Sequence, residues 1–237
     1  MVDEMRRREF LKMGLTITGV FAGGTVLSVV SQFDKVFASS KDYRERYPYK
    51  PHYSMVIHQD LCIGCELCVK ACAKTNHVPE YGYRTAVLER HVEDAIGQKR
   101  EFVPMLCMQC NDPPCVRACT VKATYKDKKT GIVMMNYDKC IGCKICMEVC
   151  PYNARYYNEE KHAIDKCNFC FDTRLTKGKK IPACVAACPT GARIFGDLSD
   201  PEDKVFKIVH QIKQPVWVVL PEEDTKPNVF YTKGVLL

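Results

Sequence analysis

Cysteine is the residue type in this 237-residue chain whose number and spacing could do chemistry. The sixteen cysteines divide into four groups of four, with none left over. Two groups share the spacing C-x2-C-x2-C-x3-C, and the other two are the same motif with insertions. In chain order the groups are Cys62, Cys65, Cys68 and Cys72; Cys107, Cys110, Cys115 and Cys119; Cys140, Cys143, Cys146 and Cys150; and Cys167, Cys170, Cys184 and Cys188.

This spacing predicts iron-sulfur chemistry, because it is the cysteine run of bacterial ferredoxins. Three thiolates on one loop hold three corners of a 4Fe-4S cube, and the fourth cysteine leaves along a helix to ligate a different cube. Thiolate sulfur is the soft ligand that iron shared with sulfide prefers. The sequence therefore predicts four 4Fe-4S clusters as cofactors.

Two other roles for the thiols compete with this interpretation. A disulfide framework would place reactive pairs side by side on short loops. A zinc site of four thiolates normally takes two C-x2-C pairs that lie far apart in sequence, whereas three of the thiolates here share one loop. A zinc scaffold without redox activity remains the alternative that metal analysis would decide.

The elements that must position the cysteine loops are short. Residues 54–58 are predicted to form a strand that enters the first loop, and residues 66–73 a helix that leaves it. Hairpins are predicted for 123–126 with 132–136 and for 154–157 with 163–164. This alternation predicts an α+β, loop-rich fold of ferredoxin-like modules, much of which must be organised by metal.

The C-terminal region indicates packing rather than chemistry. A helix is predicted to begin at Ser199–Glu202 and run toward Gln214, and residues 216–220 are predicted to form a strand. Trp217 is predicted to be a core residue. The histidines are predicted to be surface or hydrogen-bonded residues rather than iron ligands: His52, His58, His77, His91, His162 and His210.

The N-terminus has the pattern of an export signal. Arg6, Arg7 and Arg8 precede Phe10-Leu11-Lys12, and residues 13–33 carry no charge. The order Arg-Arg-x-Phe-Leu-Lys is similar to the twin-arginine consensus, with arginine where Ser or Thr is usual before the pair. Cleavage after Ala38 is predicted, but the uncharged run is also long enough to cross about 30 Å of hydrocarbon as a retained anchor.

Charge and composition exclude several functions. The chain is 46% hydrophobic and 27% charged, which is typical of a folded protein. Its formal charge of +7 would suggest a nucleic-acid partner, but four oxidised cubes with their thiolates subtract about eight charges. No phosphate-binding loop or nucleophile-base pattern is present, so no catalytic residue is predicted. Lys70, Arg117 and Lys144 lie near cysteines and are predicted to serve solubility.

The order of the cysteine groups predicts the domain organisation. Because the fourth cysteine of a run crosses to another cube, four groups make two two-cluster modules, and the long stretch 73–106 suggests that one module is inserted into the other. The predicted boundaries are 1–38 for the signal or anchor, 39–53 for a linker arm, 54–99 with 161–198 for an outer module, 100–160 for an inner module, and 199–237 for a C-terminal helix and strands.

The sequence resembles one family over essentially its whole length. The resemblance is carried by the four groups in this order, by Pro182–Leu198 and by Lys226–Tyr231. The sequence resembles the four-cluster iron-sulfur subunits of the dimethyl-sulfoxide reductase type of molybdenum or tungsten oxidoreductases, and is most similar to polysulfide, thiosulfate, tetrathionate and nitrite-reduction-associated members. It departs at Ala73 and Thr120, where a proline often follows the fourth cysteine.

The resemblance implies which cysteines share a cube. The alternative is sequential pairing, in which each group serves its own cube. The implied sets are Cys62, Cys65, Cys68 and Cys188 for the first cube; Cys72, Cys167, Cys170 and Cys184 for the second; Cys107, Cys110, Cys115 and Cys150 for the third; and Cys119, Cys140, Cys143 and Cys146 for the fourth.

The resemblance also implies a function. The protein would be a non-catalytic electron-transfer subunit of an anaerobic respiratory complex, exported to the periplasm or the outer face of the cytoplasmic membrane. It would relay electrons between a membrane quinol-linked subunit or cytochrome and a molybdenum or tungsten pterin catalytic subunit. The alternative is a stand-alone polyferredoxin that carries electrons without a fixed partner.

Overall fold

Short elements joined by long loops build the fold in the computed structural model, which describes residues 47–94, 97–211 and 214–233. The predicted signal or anchor and residues 39–46 of the predicted arm lie outside the described residues. The end of that arm is packed, since Tyr47 is buried and its hydroxyl lies 3.0 Å from Nε2 of His210. Within the described ranges, no helix is both long enough and apolar enough to cross a membrane.

A four-stranded sheet joins the beginning and the end of the described residues. Strand β1 (Tyr53–His58) pairs in parallel with a late strand, Val229–Thr232, and antiparallel with Arg193–Asp197. A two-residue strand, Val216–Trp217, pairs antiparallel with Val229–Thr232 at the edge of the sheet. Because β1 is central and apolar, five of its six residues are buried, and the first cysteine loop begins from a fixed base.

A long hairpin occupies residues 85–106, within a stretch for which the sequence predicts no element. Strand β2 (Thr85–Asp94) pairs antiparallel with β3 (Gly97–Leu106), with Thr85 opposite Leu106. The base of β3 is buried at Pro104 and Leu106, whereas its outer half, from Gly97 to Arg100, is exposed. The hairpin therefore covers the cysteine region at its base and extends into solvent at its tip.

Two small hairpins confirm the predictions for 123–136 and 154–164. Each consists of two three-residue strands paired antiparallel: β4 (Thr124–Lys126) with β5 (Val133–Met135), and β6 (Tyr156–Asn158) with β7 (Ala163–Asp165). The turn of the first hairpin is held by Asp127, whose carboxylate accepts hydrogen bonds from the backbone and hydroxyl of Thr130. The remaining strands are β8 (Arg193–Asp197), β9 (Val216–Trp217) and β10 (Val229–Thr232).

Four of the five α-helices of the described residues carry cysteines. Helix α1 begins after Glu66 and α3 after Lys144, and both of these residues have left-handed backbone angles (φ 56° and 63°) that turn the cysteine loop into the helix. The helices are α1 (Leu67–Asn76), α2 (Pro114–Arg117), α3 (Ile145–Glu148), α4 (Ala183–Ala186) and α5 (Lys204–His210), with 3-10 turns at Gln59–Leu61, Leu175–Lys177 and Pro221–Glu223.

The C-terminal elements are shorter than predicted. Helix α5 begins at Lys204 rather than at Ser199–Glu202, because the carboxylate of Asp203 caps it by accepting a hydrogen bond from the backbone of Val205. Strand β9 ends at Trp217, before the predicted end at Leu220, and Leu220 itself has a left-handed backbone (φ 49°) that does not fit a strand. Trp217 is half-buried against the main core.

The core is small and is shared with the thiols. Met55 and Ile57 from β1, Tyr231 from β10, and Phe169 are almost inaccessible. They pack in one cluster with buried cysteines from three of the four groups. Mixed helices and strands in small sheets, with few conventional core residues, agree with the predicted α+β, loop-rich class.

Candidate iron-sulfur sites

A first cavity is lined by four cysteines from opposite ends of the cysteine region. Cys62, Cys65 and Cys68 come from the loop and helix after β1, and Cys188 comes from the turn before β8. They meet because β1 and β8 are paired in the central sheet, with Ile57 opposite Arg193. Arg193 also lines this cavity.

A second cavity is also lined by three cysteines of one group and one cysteine of another. Cys107, Cys110 and Cys115 line it together with Cys150, the last cysteine of the third group. Arg155 lines its wall, as do Pro113, Pro114 and Tyr152. In both cavities three thiols of one group therefore face the fourth cysteine of a different group.

The other eight cysteines lie in two further neighbourhoods. The amide of Asn76 lies 3.5 Å from Sγ of Cys72 and 3.4 Å from Sγ of Cys170, so these two groups meet at one side chain. Burial raises the pKa of the Cys72 thiol to about 12, and the nearby Cys184 and Cys170 add to the rise. Cys167 is also close to Cys72 and Cys184, and its pKa is raised strongly by burial.

The remaining neighbourhood surrounds α3. The pKa of the Cys146 thiol is raised mainly by burial; Arg155 acts to lower it, and the nearby Cys115 and Cys119 act to raise it. Cys140 packs against a small cluster of buried side chains that includes Cys115, Cys146 and Ile164. Cys143 is exposed on the loop between Cys140 and Cys146.

The chemistry of these donors fits iron-sulfur clusters. All sixteen cysteines lie within the described ranges and carry free thiols. Burial raises the pKa of Cys110 to about 12 and of Cys184 to about 11, so neither thiol would ionise near neutral pH without a bound metal ion. Iron supplies the positive charge. When bound, 4Fe-4S clusters accept and release single electrons with little rearrangement of their ligands.

Backbone amides prepare two of the sulfurs for a negative charge. The pKa of Cys188 is lowered: burial works to raise it, but hydrogen bonds from the Thr190 hydroxyl and from the backbone N–H groups of Thr190, Ala192 and Arg193 outweigh burial. Cys150 receives backbone hydrogen bonds from residues at the same offsets, Tyr152 and Ala154, although burial keeps its pKa raised. The turns after these two cysteines therefore direct backbone N–H groups to sulfur in the same way.

Buried arginines surround the thiols, and the sequence interpretation missed them. Arg84, Arg155 and Arg193 are 7%, 1% and 3% exposed, respectively, so their guanidinium groups lie among the cysteines rather than in solvent. Nη2 of Arg155 donates to Sγ of Cys115 over 2.9 Å. The sequence does contain a pattern that could have indicated two of these arginines. The motif Cys-Pro-x-x-Ala-Arg begins at the last cysteine of the third group and again at the last cysteine of the fourth group.

The three basic residues that are close to cysteines in the sequence lie at the surface. Lys70, Arg117 and Lys144 are exposed. Arg117 pairs with Asp112, and the ammonium of Lys144 lies 5.0 Å from the ring centre of Tyr157. The histidines His52 and His58 are buried, and Nε2 of His52 lies 2.9 Å from Oδ1 of Asn228.

A single-ion site is not apparent in residues 47–94, 97–211 and 214–233. There, no three His, Cys, Asp or Glu side chains converge closely enough to hold one metal ion. Four thiols instead surround each of the two cavities described above.

Comparison with known proteins identifies the family. Residues 98–198 match the model of a 4Fe-4S dicluster domain, and residues 55–72 that of a 4Fe-4S binding domain. The sequence is 37% identical over 227 residues to the B subunit of tetrathionate reductase from Salmonella typhimurium, with 95% of this chain and 87% of that protein covered. It is 42% identical over 182 residues to the B subunit of polysulfide reductase from Wolinella succinogenes, with 75% and 92% covered. It is 40% identical over 190 residues to a protein NrfC homolog of Haemophilus influenzae, with 79% and 83% covered.

These similarities agree with the sixteen free thiols and their shared cavities, and the cofactors are 4Fe-4S clusters, four by the number of cysteines. The protein belongs to the family of iron-sulfur subunits of the dimethyl-sulfoxide reductase type, together with the B subunits of tetrathionate and polysulfide reductases.

Proposed function

We propose that this protein is a non-catalytic electron-transfer subunit that carries its four 4Fe-4S clusters in a line. One observation carries the proposal: thiols of successive sites are neighbours. Cys68 lies close enough to Cys184 to influence its pKa, Cys107 does the same to Cys167, and Cys115 to Cys146. These three electrostatic interactions join the four sites in series, which is the arrangement needed to pass electrons from one end of the line to the other.

The proposal includes the ligand sets implied by the family resemblance. Under sequential pairing Cys72 would lie beside Cys62, whereas its neighbours are Cys170 and Cys184. The two cavities likewise combine cysteines of different groups. In order along the line, the sets are Cys62, Cys65, Cys68 and Cys188 (first cube); Cys72, Cys167, Cys170 and Cys184 (second cube); Cys107, Cys110, Cys115 and Cys150 (third cube); and Cys119, Cys140, Cys143 and Cys146 (fourth cube).

With these ligand sets, we propose that one module is nested within the other. The first and second cubes belong to an outer module, 54–99 with 161–198, and the third and fourth to an inner module, 100–160. An iron-edge crystal structure of the loaded protein tests the assignment, and a cube held by Cys72 together with Cys62 would overturn it.

The two ends of the line have surfaces suited to electron exchange. Cys65 in the first cube and Cys143 in the fourth are the exposed members of the sixteen. Each lies in a loop with exposed apolar side chains at matching positions, Ile63 at 60% and Ile141 at 66% exposed. Exposed apolar residues beside a redox site favour a protein partner, because a partner would exclude water there.

The partners follow from the family. We infer a molybdenum or tungsten pterin catalytic subunit at one end and a membrane quinol-linked subunit or cytochrome at the other. Export through the twin-arginine signal would place the complex in the periplasm or on the outer face of the membrane. A stand-alone polyferredoxin is the competing function, and it needs no fixed partner.

Purification of the protein from its native host under anaerobic conditions tests the proposal. We expect about 16 iron atoms per chain, matching acid-labile sulfide, and paramagnetic signals from four reducible cubes after dithionite treatment. A large pterin-bearing chain should co-purify in constant stoichiometry. Zinc without iron would contradict the cluster proposal, and a loaded protein that purifies alone and accepts electrons from several donors would favour the free carrier.

A further inference from the structure

Two buried arginines occupy equivalent places in the outer and inner modules. The sequence Cys-Pro-x-x-Ala-Arg runs from Cys150 to Arg155 and again from Cys188 to Arg193. Arg155 immediately precedes β6, and Arg193 is the first residue of β8. In both turns the backbone N–H groups two and four residues after the cysteine donate to its sulfur. Each arginine directly follows the second of these residues, so the two arginines have equivalent positions in their turns.

Their hydrogen bonds are also alike. Nη1 of Arg155 donates to Oγ1 of Thr124 over 3.1 Å, and Nη2 of Arg193 donates to Oγ1 of Thr85 over 2.9 Å. The other nitrogen of Arg155 reaches Sγ of Cys115. The corresponding nitrogen of Arg193, Nη1, is buried and has no hydrogen-bond partner in the described part of the chain.

Neither arginine has a carboxylate partner among the ion pairs of the described residues. Arg84 provides the contrast, since its Nη2 lies 2.8 Å from Oδ1 of the buried Asp165. A buried and unpaired guanidinium is costly, so Arg155 and Arg193 require a negative group beside them. The groups that face them are thiols.

Each guanidinium faces thiols of two proposed cubes. Arg155 lines the cavity of the third cube, and its charge and a hydrogen bond act on Cys146 of the fourth. Arg193 lines the cavity of the first cube, and its charge acts on Cys184 of the second. One arginine therefore lies at the junction between the two cubes of each module.

We infer that Arg155 and Arg193 are positioning residues whose fixed positive charge, shared between two cubes, sets the reduction potentials of both cubes of their module. The inference rests on the proposed function. An oxidised cube with four thiolates carries about −2 and becomes about −3 when it accepts one electron. A nearby cation with no carboxylate to neutralise it favours the reduced form, because it is attracted more strongly to the larger negative charge.

The shared position matters for transfer along the line. When one electron leaves a cube at about −3 for its neighbour at about −2, the first becomes oxidised and the second reduced, and the pair keeps a total of about −5. A cation at the junction remains beside the electron before and after this step. The cation therefore favours the presence of an electron on the pair of cubes, but it does not favour one cube of the pair over the other.

Substitution of Arg155 in the full, cluster-loaded protein tests the inference by redox titration followed by paramagnetic resonance. In Arg155→Gln, the ratio of reduced to oxidised cube at a fixed potential should fall about ten-fold for two of the four cubes, which corresponds to about 59 mV for a one-electron couple. Arg155→Lys keeps the charge and should remain within about three-fold of the unsubstituted protein. Arg193→Gln should shift the other two cubes.

Arg117→Gln is the matched control. It lies on the helix of Cys115, but its side chain is 60% exposed and pairs with Asp112, so solvent and the carboxylate screen its charge. All four potentials should be unchanged in this variant. An equal shift in Arg117→Gln, a shift of only one cube in Arg155→Gln, or unchanged potentials at full iron content would overturn the inference.

Iron analysis separates this result from the proposed function. The unsubstituted protein with about 16 iron atoms and four titrating cubes supports the proposed function, whatever the variants do. If Arg155→Gln loses iron, Arg155→Lys decides: retained iron with near-normal potentials supports a requirement for charge, and loss of iron in both variants overturns it.

Discussion

The proposed outer and inner modules use one cysteine motif but bring its parts together differently. In the outer module, the groups that begin at Cys62 and Cys167 are far apart in sequence, and they meet because β1 pairs with both β8 and β10. In the inner module, the groups that begin at Cys107 and Cys140 are closer in sequence, and the small hairpin of β4 and β5 lies between them. Ligands that are distant in sequence are thus brought together by a sheet that joins distant strands, whereas ligands that are closer in sequence are joined through a local hairpin.

A buried polar network reaches the sulfurs of the proposed outer module and extends to one residue of the inner module. Arg84 donates to Asp165, to Oδ1 of Asn76 over 3.1 Å and to the hydroxyl of Tyr137. Asn76 in turn directs its amide toward Cys72 and Cys170. In the inner module, the side chain of Arg155 and the backbone of Thr124 donate directly to thiols, those of Cys115 and Cys119 respectively. We therefore expect the outer sites to depend more strongly on distant residues.

Asp165→Asn should break this network and produce the largest effect. The carboxylate is fully buried, and the pKa of Asp165 is lowered: burial works to raise it, but Arg84 and Lys161 outweigh burial. Removing one partner of a buried ion pair typically costs about 3–5 kcal/mol, because the other charge is left uncompensated. The midpoint of anaerobic urea unfolding should fall, and the outer cubes should lose iron first.

Asp138→Asn is the matched control for this prediction. Asp138 is exposed in the loop before the third cysteine group, so its substitution should change stability by less than about 0.5 kcal/mol. If iron is lost first from the inner cubes of Asp165→Asn, the expectation that the outer sites depend more strongly on distant residues is wrong.

Two glycines at equivalent positions allow the cysteine loops of the two modules to be compared directly. Gly64 and Gly142 occupy the same place in their cysteine loops, with φ of +72° and +68°, so alanine at either costs about 1–2 kcal/mol. A Cβ at Gly64 would lie 2.5 Å from the ring of Phe102 on the long hairpin, whereas a Cβ at Gly142 would lie 3.2 Å from the ring of Tyr157. Gly64→Ala should therefore cost about 1–3 kcal/mol more than Gly142→Ala.

A double-mutant cycle in urea unfolding isolates that contact. Phe102→Ala should relieve the additional cost in the Gly64→Ala protein, giving a coupling energy of about 1 kcal/mol or more. Equal costs for the two glycine substitutions, with no coupling to Phe102, would show that the long hairpin does not restrict the outer loop.

Local signals explain why much of this architecture could be predicted. The cysteine groups and β1 were evident from spacing and apolar runs, and the small hairpins from their turn residues. The long hairpin was missed because both of its strands carry charges on either side, without the alternation that marks a half-buried strand. Its stabilising pairs, such as Arg90 with Glu101 at 2.6 Å, become apparent only when the strands are aligned.

The ligands were predictable in type, but their surroundings were not. Cysteine spacing indicates the cofactor because metal chemistry restricts both residue type and geometry. Hydrogen bonds such as those of Asn76 and Arg84 join residues that are distant in sequence and carry no local pattern. The repeated arginine after Cys150 and Cys188 is the exception, because it belongs to the same turn as the cysteine.

Acid should affect the outer module before the inner one, and this is the smallest expected effect. Residues 100–160 contain no histidine, whereas His52, immediately before β1, is buried with Nδ1 unpartnered within the described residues. Its pKa is lowered from 6.5 mainly by burial, so the folded protein holds it neutral. Its contribution to stability is therefore complete above about pH 6.5 and is lost as the pH falls toward the folded pKa.

His52→Gln tests this expectation, because glutamine can still donate to Asn228 but does not titrate. The thermal midpoints of the two proteins should fall by different amounts between about pH 7.5 and pH 5.5, with the smaller fall in the variant. His58 also has a pKa lowered by burial and remains in both proteins, so the difference between them reports His52 alone. Parallel acid profiles would show that protonation of His52 does not weaken the sheet that closes the outer module.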